Sequence, residues 1–290
     1  MNHAQHVTRH GRRRFAAACL VAGAFGARAA RPAIAASASR DPDGALLARV
    51  IEGAHRRPEA RSRDAARHPF ETLRFFGIRP DMTVVEIAPG AGWYTEILAP
   101  YLREHGRLYA AHYARDAGSD YQRRSRERFD AKLAADPALY DRVVVGEQPD
   151  PGHGFRGIAP PGGADMVLTF RNLHNWMKAG HLDQTLRAFR DVLRPGGALG
   201  ITEHRAAPGT SIGAMIETGY VTEAFVIERL RAAGFKLEAS SGINANPKDT
   251  RDHPHGVWSL PPSLRGKEVD RERFLAIGES DRMTLRFRRA

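Results

Sequence analysis

Between Thr83 and Gly234 the chain alternates short apolar runs with helix-patterned stretches, and this alternation limits the fold more than any other feature. The runs "TVVEIA" (83–88), "RLYAAH" (107–112), "RVVVGE" (142–147), "ADMVLTF" (164–170), "ALGITEH" (198–204) and "FKLEAS" (235–240) read as buried strands. Helices are predicted at "WYTEILAPYLREHG" (93–106), bent near Pro100, and at "HLDQTLRAFRDVL" (181–193) and "VTEAFVIERLRAAG" (221–234). In the second of these, Leu182, Leu186, Phe189 and Leu193 share one helical face. Such alternation predicts an α/β fold, a mostly parallel sheet with helices on both faces. "RMTLRFRR" (282–289) alternates as a final strand does, and "HPHGVWSLPP" (253–262) interrupts the last two strands.

The turn after the first strand restricts the ligand. In "VVEIAPGAGWYTEIL" (84–98), Glu86 closes the strand and Pro89-Gly90-Ala91-Gly92 turns it. Ligands of doubly wound sheets bind beyond the C-terminal strand ends, where strand order reverses. Glycine there lets backbone approach a ligand closely. A dinucleotide fingerprint would place a third glycine where Thr95 stands, and no Gly-Lys-Ser/Thr follows to hold nucleotide phosphates. An acid and a close turn suit a ligand with a nucleoside and a charged amino-acid tail.

These residues resemble the acid-x-Gly-x-Gly-x-Gly motif of class I S-adenosylmethionine (SAM)-dependent methyltransferases, with Ala88 in place of the first glycine. "DMVLTFRNLHNW" (165–176) resembles the family's fourth strand and following loop, and "DVLRPGGALGITEH" (191–204) its helix, turn and fifth strand. "RHPFETLRFFGIRPDMTVVEIAPGAGWYTEILAPYL" is similar to an often exported bacterial methyltransferase group, and the likeness covers most of residues 60–290. The resemblance implies a Rossmann-like, doubly wound, seven-stranded sheet with an antiparallel last strand, and SAM as cofactor. It implies a cofactor site at Glu86, Ala88, Pro89, Gly90, Ala91, Gly92, Tyr94, His112 and Asn172. His112 stands at the end of the second strand, where the family places an acid on the ribose hydroxyls; Tyr113 and the late Asp116 are its neighbours.

Methyl transfer is an in-line displacement, in which the protein aligns the nucleophile and sometimes removes its proton. His174 is the candidate base, since "NLHNW" (172–176) resembles the His-acid-Trp loop of small-molecule O-methyltransferases, with Asn175 at the acid's place. His204, which with Glu203 ends the fifth strand and faces the same rim, is the second candidate, and Arg171 and Asn172 are candidates to line the cofactor or substrate. Arg63, Asp64, Arg67 and His68 fall on the N-terminal cap. His253 and His255 beside Asp252 lack a fourth ligand, so no metal site is expected. The expected function is methyl transfer to a small molecule, at oxygen; the other reading is a non-catalytic exported protein that holds SAM or a nucleoside in the same fold.

The net charge of +11 points at first to nucleic acid, but six arginines and no acid lie within residues 1–38, and without them +5 remains. No interleaved basic-aromatic patch is legible, so no nucleic-acid partner is expected. "GRRRF" (11–15) precedes the apolar run 15–25, which as a helix would be roughly 17 Å long, too short for a bilayer core of roughly 30 Å. Small-residue cleavage sites follow at "AIA" (33–35) and "ASA" (36–38), so residues 1–38 read as an export signal similar to the twin-arginine type. The expected location is periplasmic or extracellular, or cytoplasmic if that segment is not a working signal, with no membrane span. Cys19, the one cysteine, falls inside that signal, which excludes disulfide and thiol chemistry from the mature chain. The expected organisation is a signal over 1–38, a helical cap over 39–80 and the SAM-binding domain over 81–290. The oligomeric state is not legible.

Overall fold

The structure, a computed structural model, describes residues 41–290; the export signal expected over 1–38 lies outside the described residues. A helical cap comes first: α1 (Pro42–Ile51), α2 (Pro58–Arg61), α3 (Asp64–Arg67) and α4 (Pro69–Phe76). Asp41 starts α1 by accepting the Gly44 N–H at 3.0 Å, and Gly77 at φ 82° stops α4. The sheet region then runs β1 (Thr83–Ile87), α5 (Thr95–Leu102), β2 (Arg107–His112), α6 (Asp120–Ala135), α7 (Pro137–Tyr140), β3 (Val144–Glu147) and β4 (Ala164–Phe170). It continues through α8 (Leu173–Lys178), α9 (Leu182–Val192), β5 (Leu193–His204), α10 (Ile212–Thr218), α11 (Glu223–Ala232) and β6 (Phe235–Ser241). A 3-10 turn (Gly256–Ser259), α12 (Arg271–Ile277) and β7 (Arg282–Arg289) end the chain.

The sheet order is β3-β2-β1-β4-β5-β7-β6. β7 runs antiparallel to β5 and β6, and the other pairs are parallel. This is the Rossmann-like, doubly wound, seven-stranded sheet expected above. Strand periodicity sorts the core into two layers. Val85, Val167, Leu199 and Ile201 face Leu186 and Phe189 of α9. Val84, Met166, Leu168 and Ala198 face Leu73 and Phe76 of the cap with Ile97 and Leu98 of α5. The cap is therefore part of the core and not an appendage.

Most element ends shift by a few residues from the sequence reading, and two elements differ further. β5 begins at Leu193 and not at Ala198, because Leu193 already pairs with Ala164 across a register shift, and residues 194–196 stay exposed within it. "NLHNW", expected as loop, starts the short helix α8, for a reason that belongs to the site below. No helix among the described residues is long and apolar enough to cross a membrane.

β1 lies between β2 and β4, so sheet order reverses there. The segment between β6 and β7 returns over these strand ends. Asn244 Nδ2 donates to Thr72 Oγ1 of the cap and Thr284 Oγ1 of β7, each at 2.9 Å, and Arg205 Nη2 meets Asp281 Oδ1 at 2.7 Å. Cap, sheet and returning segment thus close on one another around the ends of β1, β4 and β5.

Gly200, in the middle of β5, lets Phe76 of the cap lie against the sheet. A Cβ there would come within 2.6 Å of Phe76 Cγ and 2.8 Å of Leu168 Cδ2, both on buried side chains. Gly200→Ala should cost about 1–3 kcal/mol through overpacking. Denaturant unfolding should give a lower midpoint with an unchanged slope; an unchanged midpoint would contradict this packing.

Candidate functional site

Beyond Ile87 the backbone turns through left-handed residues: Ala88 at φ 48°, Gly90 at 59° and Gly92 at 76°. Ala88 stands where the resemblance expects glycine and keeps the conformation that glycine would adopt, held by its N–H on Ala111 O at 2.8 Å. The two glycines serve different ends. A Cβ on Gly92 would lie 3.1 Å from Phe129, whereas one on Gly90 would meet no atom within 4 Å. The space beside Gly90 is open to a ligand. Lys132 of α6 steadies the turn from behind, donating to Ala91 O at 2.9 Å and Gly92 O at 3.2 Å.

Glu86 and His112 lie behind this turn. Thr95 Oγ1 donates to Glu86 Oε2 at 2.6 Å. Burial pushes the Glu86 carboxyl up to about 7, against the opposing pull of Thr95 and Lys132. His112 Nδ1 accepts the Tyr113 N–H at 2.7 Å, so Nε2 carries the proton and donates it to Gly90 O at 3.2 Å. Burial pushes this ring down to about 4, with Arg126 adding to the shift and Gly90 O and Asp130 opposing it. A neutral histidine therefore clips the end of β2 to the glycine turn.

In front of the turn is a cavity of about 370 Å³, within the range of small-molecule sites, about 300–1,000 Å³. Ala88, Pro89, Gly90 and Ala91 form one wall, Asn172, His174 and His204 the floor, Arg63 and Arg67 of the cap another side, and Trp258 of the returning segment a third. Tyr113, Tyr121 and Ser125 complete the side nearest β2. Cavities of about 500 and 600 Å³ lie elsewhere, one beside α9 and one beside Arg205, and neither reaches the glycine turn.

Glu203, fully buried at the end of β5, organises the floor. It accepts the Leu173 N–H at 2.7 Å and the His204 N–H at 2.9 Å, and it lies 3.1 Å from His174 Nδ1. The Leu173 bond explains why α8 begins where it does, since this carboxylate satisfies a free N–H of its first turn. With the carboxylate accepting, His174 carries its proton on Nδ1, and Nε2 offers a lone pair. His204 sits beside it, ring centroids 5.4 Å apart, with Nδ1 2.5 Å from Ser280 Oγ. Burial, then His174 and then Arg171, Arg282 and Arg67 hold His204 well below the usual histidine range. It is neutral near pH 7.

Above the histidines is a cluster of guanidiniums. Arg63 Nε meets Glu279 Oε1 at 2.7 Å, Arg67 Nε meets Oε2 at 3.3 Å, and Arg282 Nη1 meets Oε2 at 3.1 Å. Burial would raise the Glu279 carboxyl, but Arg67, Arg282, Arg63 and Arg171 outweigh it and bring it down to about 2. Arg67 also lies over the Trp93 ring at 4.6 Å, with Arg56 at 5.0 Å. Burial and the neighbouring cations lower Arg67 to about 9 and Arg171 to about 10.

One ligand atom from each of His174, Glu203 and His204 lies within 4.8 Å of the others. The same surroundings disfavour a metal ion there. Three N–H groups already occupy the carboxylate, and Arg67, Arg171 and Arg282 bear on His204 with a field that repels a divalent cation.

No protein-family model matches the chain, and no curated protein sequence matches it. Solved structures do. A SAM-dependent methyltransferase from Aquifex aeolicus is 16% identical with a TM-score of 0.52, over 85% of this chain and 98% of that one. A putative sarcosine dimethylglycine methyltransferase from Galdieria sulphuraria is 11% identical with a TM-score of 0.53, over 78% of this chain and 84% of that one. The [4+2]-cyclase SpnF is 18% identical with a TM-score of 0.54, over 87% of this chain and 95% of that one. The chain has the methyltransferase fold. A cyclase shares it, so the fold leaves the reaction to the site.

Of the residues singled out from sequence, the cavity brings together Ala88, Pro89, Gly90, Ala91, Asn172, His174 and His204. Glu86, Gly92, Tyr94 and His112 stand behind its wall. Tyr94 stacks on Phe170 with centroids 3.6 Å apart, and Asn172 Nδ2 bridges Ile87 O and Thr169 Oγ1. His253 is buried against Asp249 at 2.8 Å while His255 is exposed, so that pair does not converge. Sequence reasoning missed Glu203 as the partner of His174, and Glu279 and Ser280 altogether. Strand register would have found them: Phe170 pairs with Thr202, which sets Glu203 beside the start of α8, and His204 pairs with Arg282.

The His112 clip has a pH signature. Its folded value of about 4 lies below the ordinary 6.5, so the unfolded chain binds the extra proton between them. The stability it contributes is complete above pH 6.5 and is lost as pH falls through about 4, about 3 kcal/mol in all. His112→Gln keeps a donor for Gly90 O but does not titrate. The stability gap between wild type and variant should narrow from pH 7.5 to pH 4; a gap independent of pH would contradict the neutral clip.

Proposed function

We propose that the chain is a SAM-dependent methyltransferase that methylates a hydroxyl of a small molecule, with His174 as general base. The observation that carries this reading is the pairing of His174 with the buried Glu203 on the floor of the cavity that the glycine turn borders. The fold similarity supports the coarser part, a methyltransferase using SAM; the acceptor oxygen and the base are inferred from the site chemistry.

The residues fit the cofactor. The open space beside Gly90 admits a ligand against the backbone of Ala88, Pro89 and Ala91, as a close turn requires. Asn172 borders the same space, and Tyr113 and Ser125 offer hydroxyls on the β2 side, where His112 replaces the expected acid. Bound SAM supplies an electrophilic methyl group on a sulfonium. The protein supplies the rest. Glu203 fixes the His174 ring through Nδ1 and thereby sets its tautomer. Nε2 takes the proton of the acceptor hydroxyl as its oxygen becomes nucleophilic, and the resulting imidazolium is stabilised by the adjacent carboxylate. His204, held neutral, adds no competing charge beside that imidazolium. Trp258, whose ring centroid is 5.9 Å from that of His174, covers the floor and restricts water.

A second reading has an observation of its own. Among the described residues, no carboxylate on the cavity wall is free of partners: Glu279 is held by three arginines. A ribose would be gripped by hydroxyls alone, which favours a protein that binds a nucleoside-like ligand without turnover.

Transfer of radiolabelled methyl from SAM to a panel of phenols, hydroxy acids and amines separates the readings. Hydroxyl acceptors should be labelled. His174→Ala should lower kcat by about 10²- to 10⁴-fold, and Glu203→Gln should lower it less, with affinity for S-adenosylhomocysteine (SAH) nearly unchanged in both. Amine-only labelling, or full kcat in His174→Ala, would remove His174 as the base.

A further inference from the structure

The guanidinium cluster exceeds what its carboxylates require. Arg63, Arg67 and Arg282 share one carboxylate, Glu279, and Arg282 also donates to Ala66 O. Glu203, the other buried acid nearby, is committed to His174 and to two backbone N–H groups. Asp281 is taken by Arg205 and Arg251. Arg171 lines the cavity, and among the described residues no hydrogen bond or ion pair reaches its guanidinium. Its backbone is fixed nonetheless: φ is 64°, and its N–H donates to Thr202 O at 2.7 Å. Arg63 Nη2 and Arg282 Nε are buried without partners. Unmatched guanidinium N–H groups beside a cavity are expensive unless an acceptor arrives to meet them.

We infer that the methyl acceptor carries an oxyanion, a carboxylate or a phosphate, which Arg171 receives with help from Arg63 while the acceptor hydroxyl faces His174. This rests on the methyltransferase reading and adds the substrate class to it. The planar fork of arginine suits either oxyanion, because two parallel N–H groups can meet two oxygens. Position agrees as well. Arg171 and His174 leave the end of β4 three residues apart, both border one cavity, and Arg171 lies close enough to His204 to suppress its protonation. The positive field that disfavours a metal ion on this floor favours an anionic acceptor.

The same guanidiniums could instead meet the carboxylate of the cofactor's own amino-acid arm, and the experiment distinguishes the two. Benzoate, phenyl phosphate and the neutral benzamide are titrated calorimetrically into full-length protein, with and without saturating SAH. At least one anion should bind SAH-loaded protein about tenfold or more tighter than benzamide; which of the two does so tells carboxylate from phosphate. Arg171→Gln should abolish that preference while SAH binding stays within about threefold. Arg171→Lys, which keeps the charge without the fork, should restore part of it and guards against a folding defect. An anion bound only without SAH, and displaced by it, overturns the inference in favour of the cofactor's carboxylate. Equal binding of anions and benzamide overturns it as well. If SAH does not bind at all, the methyltransferase reading fails. Loss of phenyl phosphate binding in Arg171→Gln would then still uphold the oxyanion site, and no difference from wild type would remove it.

Discussion

Parallel pairing of β1 with β2 on one side and β4 on the other is the constraint on which the rest depends. Each parallel neighbour needs a crossover, so the strands deliver their C-terminal ends to one edge, and chains leaving β1 and β4 must diverge there. The divergence opens the cavity. Tight left-handed turning at Ala88, Gly90 and Gly92 keeps backbone, and no side chain, along one wall. The cap and the β6–β7 segment then close over it through Asn244, Arg205 and Asp281.

Inside that edge, electrostatics assigns each ionisable group a separate task. Glu86, pushed up by burial and bonded to Thr95, supports the turn from beneath. Glu203 is surrounded by N–H donors and orients His174. Glu279 is held low by arginines and ties the cap to β7. His112 is kept neutral as a clip, and His204 is kept neutral beside the candidate base. Among the described residues of this edge, His174 combines a carboxylate partner on Nδ1 with a place in the cavity lining, which is the arrangement proton abstraction needs. Remaining positive charge gathers at Arg171 and its neighbours and sets the sign of the ligand the cavity favours.

The sheet was legible because its pattern is local. β2, β4 and β7 match the ranges read from sequence, since apolar runs and turn residues bound each strand directly. Glycine and turn chemistry at residues 88–92 were equally local. The site was legible only where it follows a motif. Glu203 sits close to His204 in sequence, yet its role as orienter of His174 depends on the β4–β5 register, with Asn175 drawing attention to the wrong place for an acid. Glu279 and Ser280 come to the cavity through antiparallel pairing of β7 with β5, across a segment that has no regular pattern. His112 looked like a substitute for the ribose acid; the fold instead turns both ring nitrogens onto backbone groups. In each case a distant partner, absent from the local pattern, decides what the side chain does.

The central claim is that the turn after β1 exists to hold a SAM-type cofactor. Calorimetric titration of ligand-free full-length protein with SAH, repeated on Gly90→Ala, tests it most directly. The added Cβ enters open space beside the turn, and its left-handed backbone, which Ala88 also adopts, costs about 1–2 kcal/mol of stability. Micromolar binding to wild type, weakened about tenfold or more in Gly90→Ala at a temperature where both proteins are fully folded, is the predicted result. No binding to wild type, or equal binding to both, would contradict the claim and leave the turn as inherited architecture.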